Sequence, residues 1–211
     1  MANVSRVFGF RPVKHFTGAP YNGQANIYEI SVAETIPTFV GDMVIRSTSA
    51  STSGLVTVKT VNAALTANEV VAGVILGAVV GIVINKTDPL DGSMSAGSIL
   101  LDTPQFVPAL TKAYVLVCDS PDVIYETQAT SALALADIGL NADITCDAAT
   151  NALLTGQSPM RVSATALTAS ATRPLHVVGY VKRPDNEAPA AFNKVYVQLT
   201  TSAQGNAIVG V

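Results

Sequence analysis

Apolar and polar positions along this chain alternate in short runs, and almost nowhere does an apolar stripe keep the period of about 3.6 residues that a full helix needs. The runs Ile36–Ile45, Leu55–Val61 and Val70–Ile84 are broken by Gly or Ser/Thr punctuation, which is the rhythm of a barrel or sandwich. Val70–Ile84 is bounded by Glu69 and Lys86 and is shorter than the roughly 17–25 residues that span a bilayer. Its glycines at 73, 77 and 81 have the spacing of packed membrane helices,. Val and Ile dominate the run, however, and each Gly would weaken a helix in water by about 1 kcal/mol, so a strand is predicted. Tyr114–Cys118 and Val123–Gln128 flank Asp119-Ser-Pro-Asp122, predicting a strand pair across a Pro-Asp turn. His176–Val181 and Lys194–Leu199, joined by the polar loop Lys182–Pro189, predict two more strands. Thr130–Leu140 is rich in Ala and Leu, with Leu133, Ala136, Asp137 and Leu140 near one face. It predicts a short helix near 131–138, ending at Gly139. The predicted fold class is mainly β: a small β-barrel or sandwich body with an extended N-terminal arm and at most short helices.

The arm comes from residues 1–28, which hold three basic residues, Arg6, Arg11 and Lys14, and no acidic one. Two prolines and the turn-formers around Tyr21 leave too little apolar mass for a core of its own,. The expected organisation is an arm over 1–28, a β-rich body over 29–200 and a small-residue tail over 201–211. Phe8, Phe10, Arg11, Lys14, His15, Phe16 and Tyr21 are the candidate contact residues of the arm, with Phe8, Phe10 and Tyr21 expected to bury against a partner. Arg46-Ser-Thr-Ser-Ala-Ser-Thr-Ser-Gly54 is too small and polar to pack, and a mobile hairpin loop is expected there. No apolar signal segment follows Met1, so the expectation is a protein made and used without export.

Composition narrows the function. Of 211 residues, 49% are hydrophobic and 13% charged, and 12 Lys and Arg against 15 Asp and Glu give a net charge of −3. A general nucleic-acid binder would carry a surplus of clustered cations. From Asp88 to Asp147 nine acidic residues (88, 91, 102, 119, 122, 126, 137, 143 and 147) face one basic residue, Lys112, leaving that stretch at −8. Such a stretch is either a cation site or docking face, or a set of turn aspartates at loop ends; the missing EF-hand pattern favours the turns. Cys118 and Cys146 have neither metal spacing nor a disulfide framework around them, and read as buried free thiols,. A P-loop, a dinucleotide fingerprint, a zinc-protease helix and a nucleophile elbow are all missing. Gly156-Gln-Ser-Pro-Met160 comes nearest to an elbow, but it lacks the second glycine, and its proline removes a backbone N–H that an oxyanion hole uses,. His15 and His176 are the only imidazoles and lie far apart in sequence. No catalytic residue, metal or cofactor is assigned, and the chain is not expected to be an enzyme.

The run Gly9-Phe-Arg-Pro-Val-Lys-His15, then Gly18-Ala-Pro-Tyr-Asn-Gly-Gln24 and Phe39-Val-Gly-Asp-Met-Val44, resembles the start of a family of tailed-bacteriophage virion proteins. Val115-Leu-Val-Cys-Asp-Ser-Pro-Asp122, Tyr125-Glu-Thr-Gln128, Ile138-Gly-Leu-Asn-Ala-Asp143 and Arg183-Pro-Asp-Asn-Glu187 resemble its later blocks, so the likeness runs nearly the whole length. Ser120 stands where members of the family often carry a second acid, which keeps the turn and weakens a metal reading there. The resemblance implies a minor capsid, decoration or cement protein on the outer face of the capsid, made in the host cytoplasm. It would bridge major capsid protein subunits, associate with itself as a homotrimer, and touch neither nucleic acid nor membrane. The alternative is a receptor- or carbohydrate-binding head appendage that presents the Ser/Thr loop 47–53 and the acidic middle. The absence of Trp disfavours a sugar-stacking platform,.

Overall fold

The computed structural model describes residues 3–61, 75–83, 106–147, 150–165, 167–170, 172–200 and 202, and these residues are mainly β. A closed barrel is formed by β2 (Asn26–Ile30), β5 (Thr57–Thr60), β4 (Met43–Arg46), β6 (Ile75–Val83) and β8 (Ala113–Cys118), in that order around the ring. Beside it lies an antiparallel sheet of β1 (Arg11–His15), β9 (Val123–Gln128), β14 (Lys194–Leu199), β13 (Leu175–Tyr180) and β10 (Asn141–Ala142). Two small ladders complete the β structure: β3 (Thr38–Phe39) with β7 (Phe106–Val107), and β11 (Ile144–Cys146) with β12 (Met160–Val162).

Side-chain alternation explains how the two layers join. On β4, Val44 points into the barrel with Tyr28, Ile30, Val58, Leu76 and Val115. Its neighbours Met43 and Ile45 point outward and pack with Val123, Tyr125, Val177, Val195 and Val197 of the sheet. A strand buried on both faces reads as an unbroken apolar run, and Met43-Val-Ile45 is one. Gly77 on β6 is needed for the same closeness, because a Cβ there would lie 1.8 Å from Cys118 O,.

The strands predicted at 114–118, 123–128, 176–181 and 194–199 are present as β8, β9, β13 and β14, the last two paired as expected. The described part of Val70–Ile84 is strand β6; the rest of that run lies outside the described residues. Three expectations are corrected. First, β8 and β9 do not form a hairpin: the Pro-Asp turn carries the chain from the barrel to the sheet. Tyr125 holds that corner by donating its hydroxyl to Cys118 O at 3.0 Å. Second, residues 1–28 do not extend from the body. β1 pairs with β9, β2 is a barrel strand paired on both sides, and Phe10 is 1% exposed within the core. The stretch builds no core alone because Phe10 shares one with β4, β6, β9, β13 and β14.

Third, the loop 46–54 is pinned. β4 and β5 pair as a hairpin, but the loop between them folds onto Glu29, a carboxylate that is 1% exposed. Glu29 accepts from Ser51 Oγ (3.2 Å), Thr52 Oγ1 (3.1 Å), Ser53 N–H (3.2 Å) and the Ser53 hydroxyl. Lys112 Nζ stands 4.0 Å from the carboxylate and donates to Thr52 Oγ1 at 2.6 Å. Burial pushes the Glu29 carboxyl up, but the hydrogen bonds from Ser53 and Thr52, with Lys112 beside them, outweigh it and hold the group below its ordinary value,.

Helix is scarce, as expected, but placed differently. Only a 3-10 turn, Leu135–Asp137, forms in the predicted 131–138 stretch, closed by Asp137 Oδ2 accepting from Ala134 N–H at 2.7 Å. Leu133 is fully buried while Leu135 is 71% exposed, so the apolar residues do not share a face. A short helix not anticipated, α1, covers Thr150–Thr155. Cys118 is buried and Cys146 half-buried, and both are free thiols. Of the tail 201–211 only Ser202 is described.

Candidate functional site

The feature that sets one face apart is the N-terminal segment from Asn3 to Phe10, which crosses the outer face of the five-stranded sheet. Asn3 Nδ2 donates to Glu187 O (2.8 Å) and Ala191 O (3.1 Å), while its Oδ1 accepts from Glu187 N–H (2.8 Å). Gln128, 1% exposed at the end of β9, takes Arg6 N–H on Oε1 (3.0 Å) and donates from Nε2 to Val4 O (2.9 Å) and Phe192 O (3.0 Å). Side-chain amides thus replace a β-ladder until β1 begins. Gly9 then passes Gly41 and Ser158 so closely, at φ +72°, that a Cβ would sit 2.4 Å from Ser158 Cβ and 2.6 Å from Gly41 O,.

A cleft of about 820 Å³ opens on one side of the segment, with Arg6, Arg11, Glu126, Arg183, Asp185 and Lys194 among its walls. The strand period puts these charges there: the register aligns Arg11 with Glu126, Glu126 with Tyr196, and Gln128 with Lys194, on the sheet face turned from the core,. Arg183 pairs with Glu126 and, at 3.5 Å, with Asp185, and Lys194 pairs with Asp185. Burial works against the Arg183 charge, yet Glu126 and Asp185 raise its pKa above the ordinary value. The Lys194 ammonium, with Arg183 adding to it, holds Asp185 below its own. Arg11 stacks its guanidinium 4.5 Å from the Phe8 ring centre and donates from Nη2 to Gln157 Oε1 at 3.2 Å. A second cleft, of about 280 Å³, lies on the other side, between residues 5–7 and the 155–161 stretch. Together the two clefts are lined by five cations, Arg6, Arg11, Arg161, Arg183 and Lys194, and three carboxylates, Glu126, Asp147 and Asp185, an excess of cations in a chain whose net charge is −3.

The candidate contact residues scatter around this face. Phe8 (8% exposed) and Phe10 (1%) are committed to the protein's own interior, which corrects the expectation that they bury against a partner. Tyr21 packs at the margin of that core, and its hydroxyl donates to Gln24 O at 2.8 Å. Burial, with Cys118 and Asp119 nearby, pushes its pKa up to about 12. Lys14 lies 5.4 Å over the Tyr196 ring, and His15 Nδ1 is 3.1 Å from Asp122 Oδ2. Phe16, at 65%, is the most exposed of these aromatics. Of these candidates only Phe8 and Arg11 line the large cleft. Arg6, Arg161, Arg183 and Lys194 were not among the sequence candidates.

Chemistry of other kinds finds little foothold. Ser120, Asp122 and His15 touch, but Asp122 stands between the other two, so no imidazole is positioned on the hydroxyl,. His176 Nδ1 is bonded to Asn141 Oδ1 at 2.8 Å. Ser158, in the elbow-like run, is fully buried, and its Oγ accepts from Met160 N–H. Among the described residues no group of three or more His, Cys, Asp or Glu side chains is placed to hold a metal ion. The acidic middle is largely engaged within the chain. Asp119 accepts from Asn26 and Tyr28, and Glu126, Asp143 and Asp147 pair with Arg183, Arg173 and Arg161. Residues 88, 91 and 102 lie outside the described set. No family model, curated protein or solved structure matches the chain.

Proposed function

We propose that the protein is a non-enzymatic structural component of a phage virion that cements the outer capsid, docking on major capsid protein subunits through the face built around residues 3–11. The observation that carries this reading is the pairing of a side-chain-stapled N-terminal segment with flanking clefts rich in Arg, the residue most suited to protein contact. The resemblance of the residue blocks to tailed-bacteriophage virion proteins is the reason for naming the shell as partner, and bridging of shell subunits is the reason for naming trimers. The appendage alternative would present the Ser/Thr loop, but the hydroxyls of Ser51, Thr52 and Ser53 are turned onto Glu29, which leaves fewer of them for a sugar. The test is decoration of purified capsids. Arg11→Glu should cut occupancy about tenfold or more at low salt, with the loss shrinking as salt screens the contact. Capsids decorated with intact protein should release their genome at a higher temperature than bare ones. Undiminished decoration by the variant, or identical release curves at full occupancy, would overturn the proposal.

A further inference from the structure

The smaller cleft holds a cation that the fold leaves incompletely used. Arg161, on β12, has a side chain only 7% exposed. A guanidinium offers five N–H donors, and burying one rewards using them. Nη2 pairs with Asp147, whose own side chain is 41% exposed. Nη1 reaches Ser5 Oγ only at 3.5 Å, beyond the usual hydrogen-bond range. Nε–H has no acceptor among the described residues. The face of the group lies 5.9 Å from the Phe192 ring centre, which supplies no in-plane acceptor. Arg6 lines the same cleft and is exposed, so two guanidiniums face a single carboxylate there. Burial pulls the Arg161 pKa down,.

We propose that this cleft binds a carboxylate, supplied by a Glu or Asp side chain of a partner protein, which accepts from Arg161 Nη1 in place of its long contact to Ser5 and draws Arg6 over it. A volume of about 280 Å³ admits one acidic side chain rather than a whole segment. The planar fork of Arg matches a carboxylate, and a buried pair gains more than an exposed one. This deepens the contact-face reading and rests on it for the identity of the source, but the two are tested apart: Arg11→Glu lies outside this cleft and probes decoration, whereas the Arg161 resonance probes the cleft.

The experiment is a titration of the intact, ¹⁵N-labelled protein, following the Arg161 Nε–H correlation by NMR, with an acidic hexapeptide, with succinate and with inorganic phosphate at constant ionic strength. The peptide should move the resonance and saturate, and should bind about tenfold tighter than either small anion. Arg161→Lys should weaken binding about tenfold, since an ammonium lacks the fork. Because that variant risks the fold, Asp147→Asn provides the opposite sign: removing the competing carboxylate should tighten the peptide several-fold, which damage to the fold would not do. Absence of any shift would overturn the proposal and leave a solvent-filled cleft. Phosphate equal to the peptide would overturn carboxylate selectivity, and succinate equal to it would overturn the partner-protein source. Weaker binding in Asp147→Asn would also overturn it.

Discussion

Asp42→Asn isolates one carboxyl at the joint between barrel and sheet. Asp42 is 1% exposed, and Oδ2 accepts from Phe39 N–H at 2.8 Å, while Oδ1 has no hydrogen-bond partner among the described residues. No ion pair to it forms among those residues, and the half-buried Cys146 feels its charge, the Cys146 pKa being pushed up to about 11 by burial and then by Asp42. Burial raises the Asp42 pKa from 3.8 to about 7, with Ser158 and the Phe39 N–H pulling it partly back. The Ser158 hydroxyl is near enough for that pull without forming a well-made bond to Oδ1. Folding therefore favours the protonated acid. The stabilisation is fully present below pH 3.8, the ordinary value, and is lost as pH rises to about 7. About three pH units at 1.36 kcal/mol each correspond to about 4 kcal/mol, a large share of the ~5–15 kcal/mol that holds a domain together. Asparagine keeps the acceptor for Phe39 and stays neutral throughout. Urea unfolding of both proteins at intervals from pH 4 to 8 gives the difference between two curves, in which titrations common to both cancel. The variant should match the wild type near pH 4 and exceed it by about 3–4 kcal/mol at pH 8. A difference that stays flat, or a variant weaker at pH 8, would refute the burial argument.

Two further outcomes follow from the corrected N-terminus and loop. Phe10→Ala should cost about 3–5 kcal/mol in urea unfolding, and deleting residues 1–20 should collapse the body by removing β1 as well; a truncated protein with native near-ultraviolet dichroism would show that β1 and Phe10 are dispensable. Glu29→Ala should cost about 1–3 kcal/mol by orphaning its donors and speed amide exchange at Thr52 and Ser53. Since the Glu29 carboxyl is held below 4.5, the wild-type contribution is present above pH 4.5 and lost as pH falls through the lower folded value. Exchange at those amides that is unchanged in the variant would mean the loop is held by something else.

Period-two patterning was enough to locate β9, β13 and β14, because each turns alternate apolar residues into a common core: Val123 and Tyr125, Leu175 and Val177, Val195 and Val197. The same period puts Glu126 and Gln128 on one side of β9 and Lys194 and Tyr196 on one side of β14, but nothing in the sequence marked that side as a site. Pairing was not. Whether Val123–Gln128 folds back on Tyr114–Cys118 or crosses to another sheet depends on a corner set by the Tyr125 hydroxyl, and no local signal records it. β1 was hidden because a five-residue strand opening Arg-Pro looks like a linker until its partner at 123–128 is known. The loop at 46–54 misled for a related reason: small hydroxyl residues pack poorly on apolar surface but well around a buried carboxylate, and Glu29 lies far from them in sequence. Arg161 escaped notice because nothing in Pro-Met-Arg-Val reveals that the arginine side chain turns inward.

The strand order has a consequence during synthesis. Every strand of the barrel lies between Asn26 and Cys118, so that unit can close while the rest of the chain is still on the ribosome. The neighbouring sheet cannot follow at once. β14, its middle strand, is the last to emerge, and until Lys194–Leu199 arrives both β9 and β13 have an open edge, with Tyr125 and Val177 uncovered. Open apolar edges invite strands from other chains. A nascent chain thus carries a finished barrel tethered to an adhesive, unfinished sheet, and a translation product stopped before Lys194 keeps that state permanently.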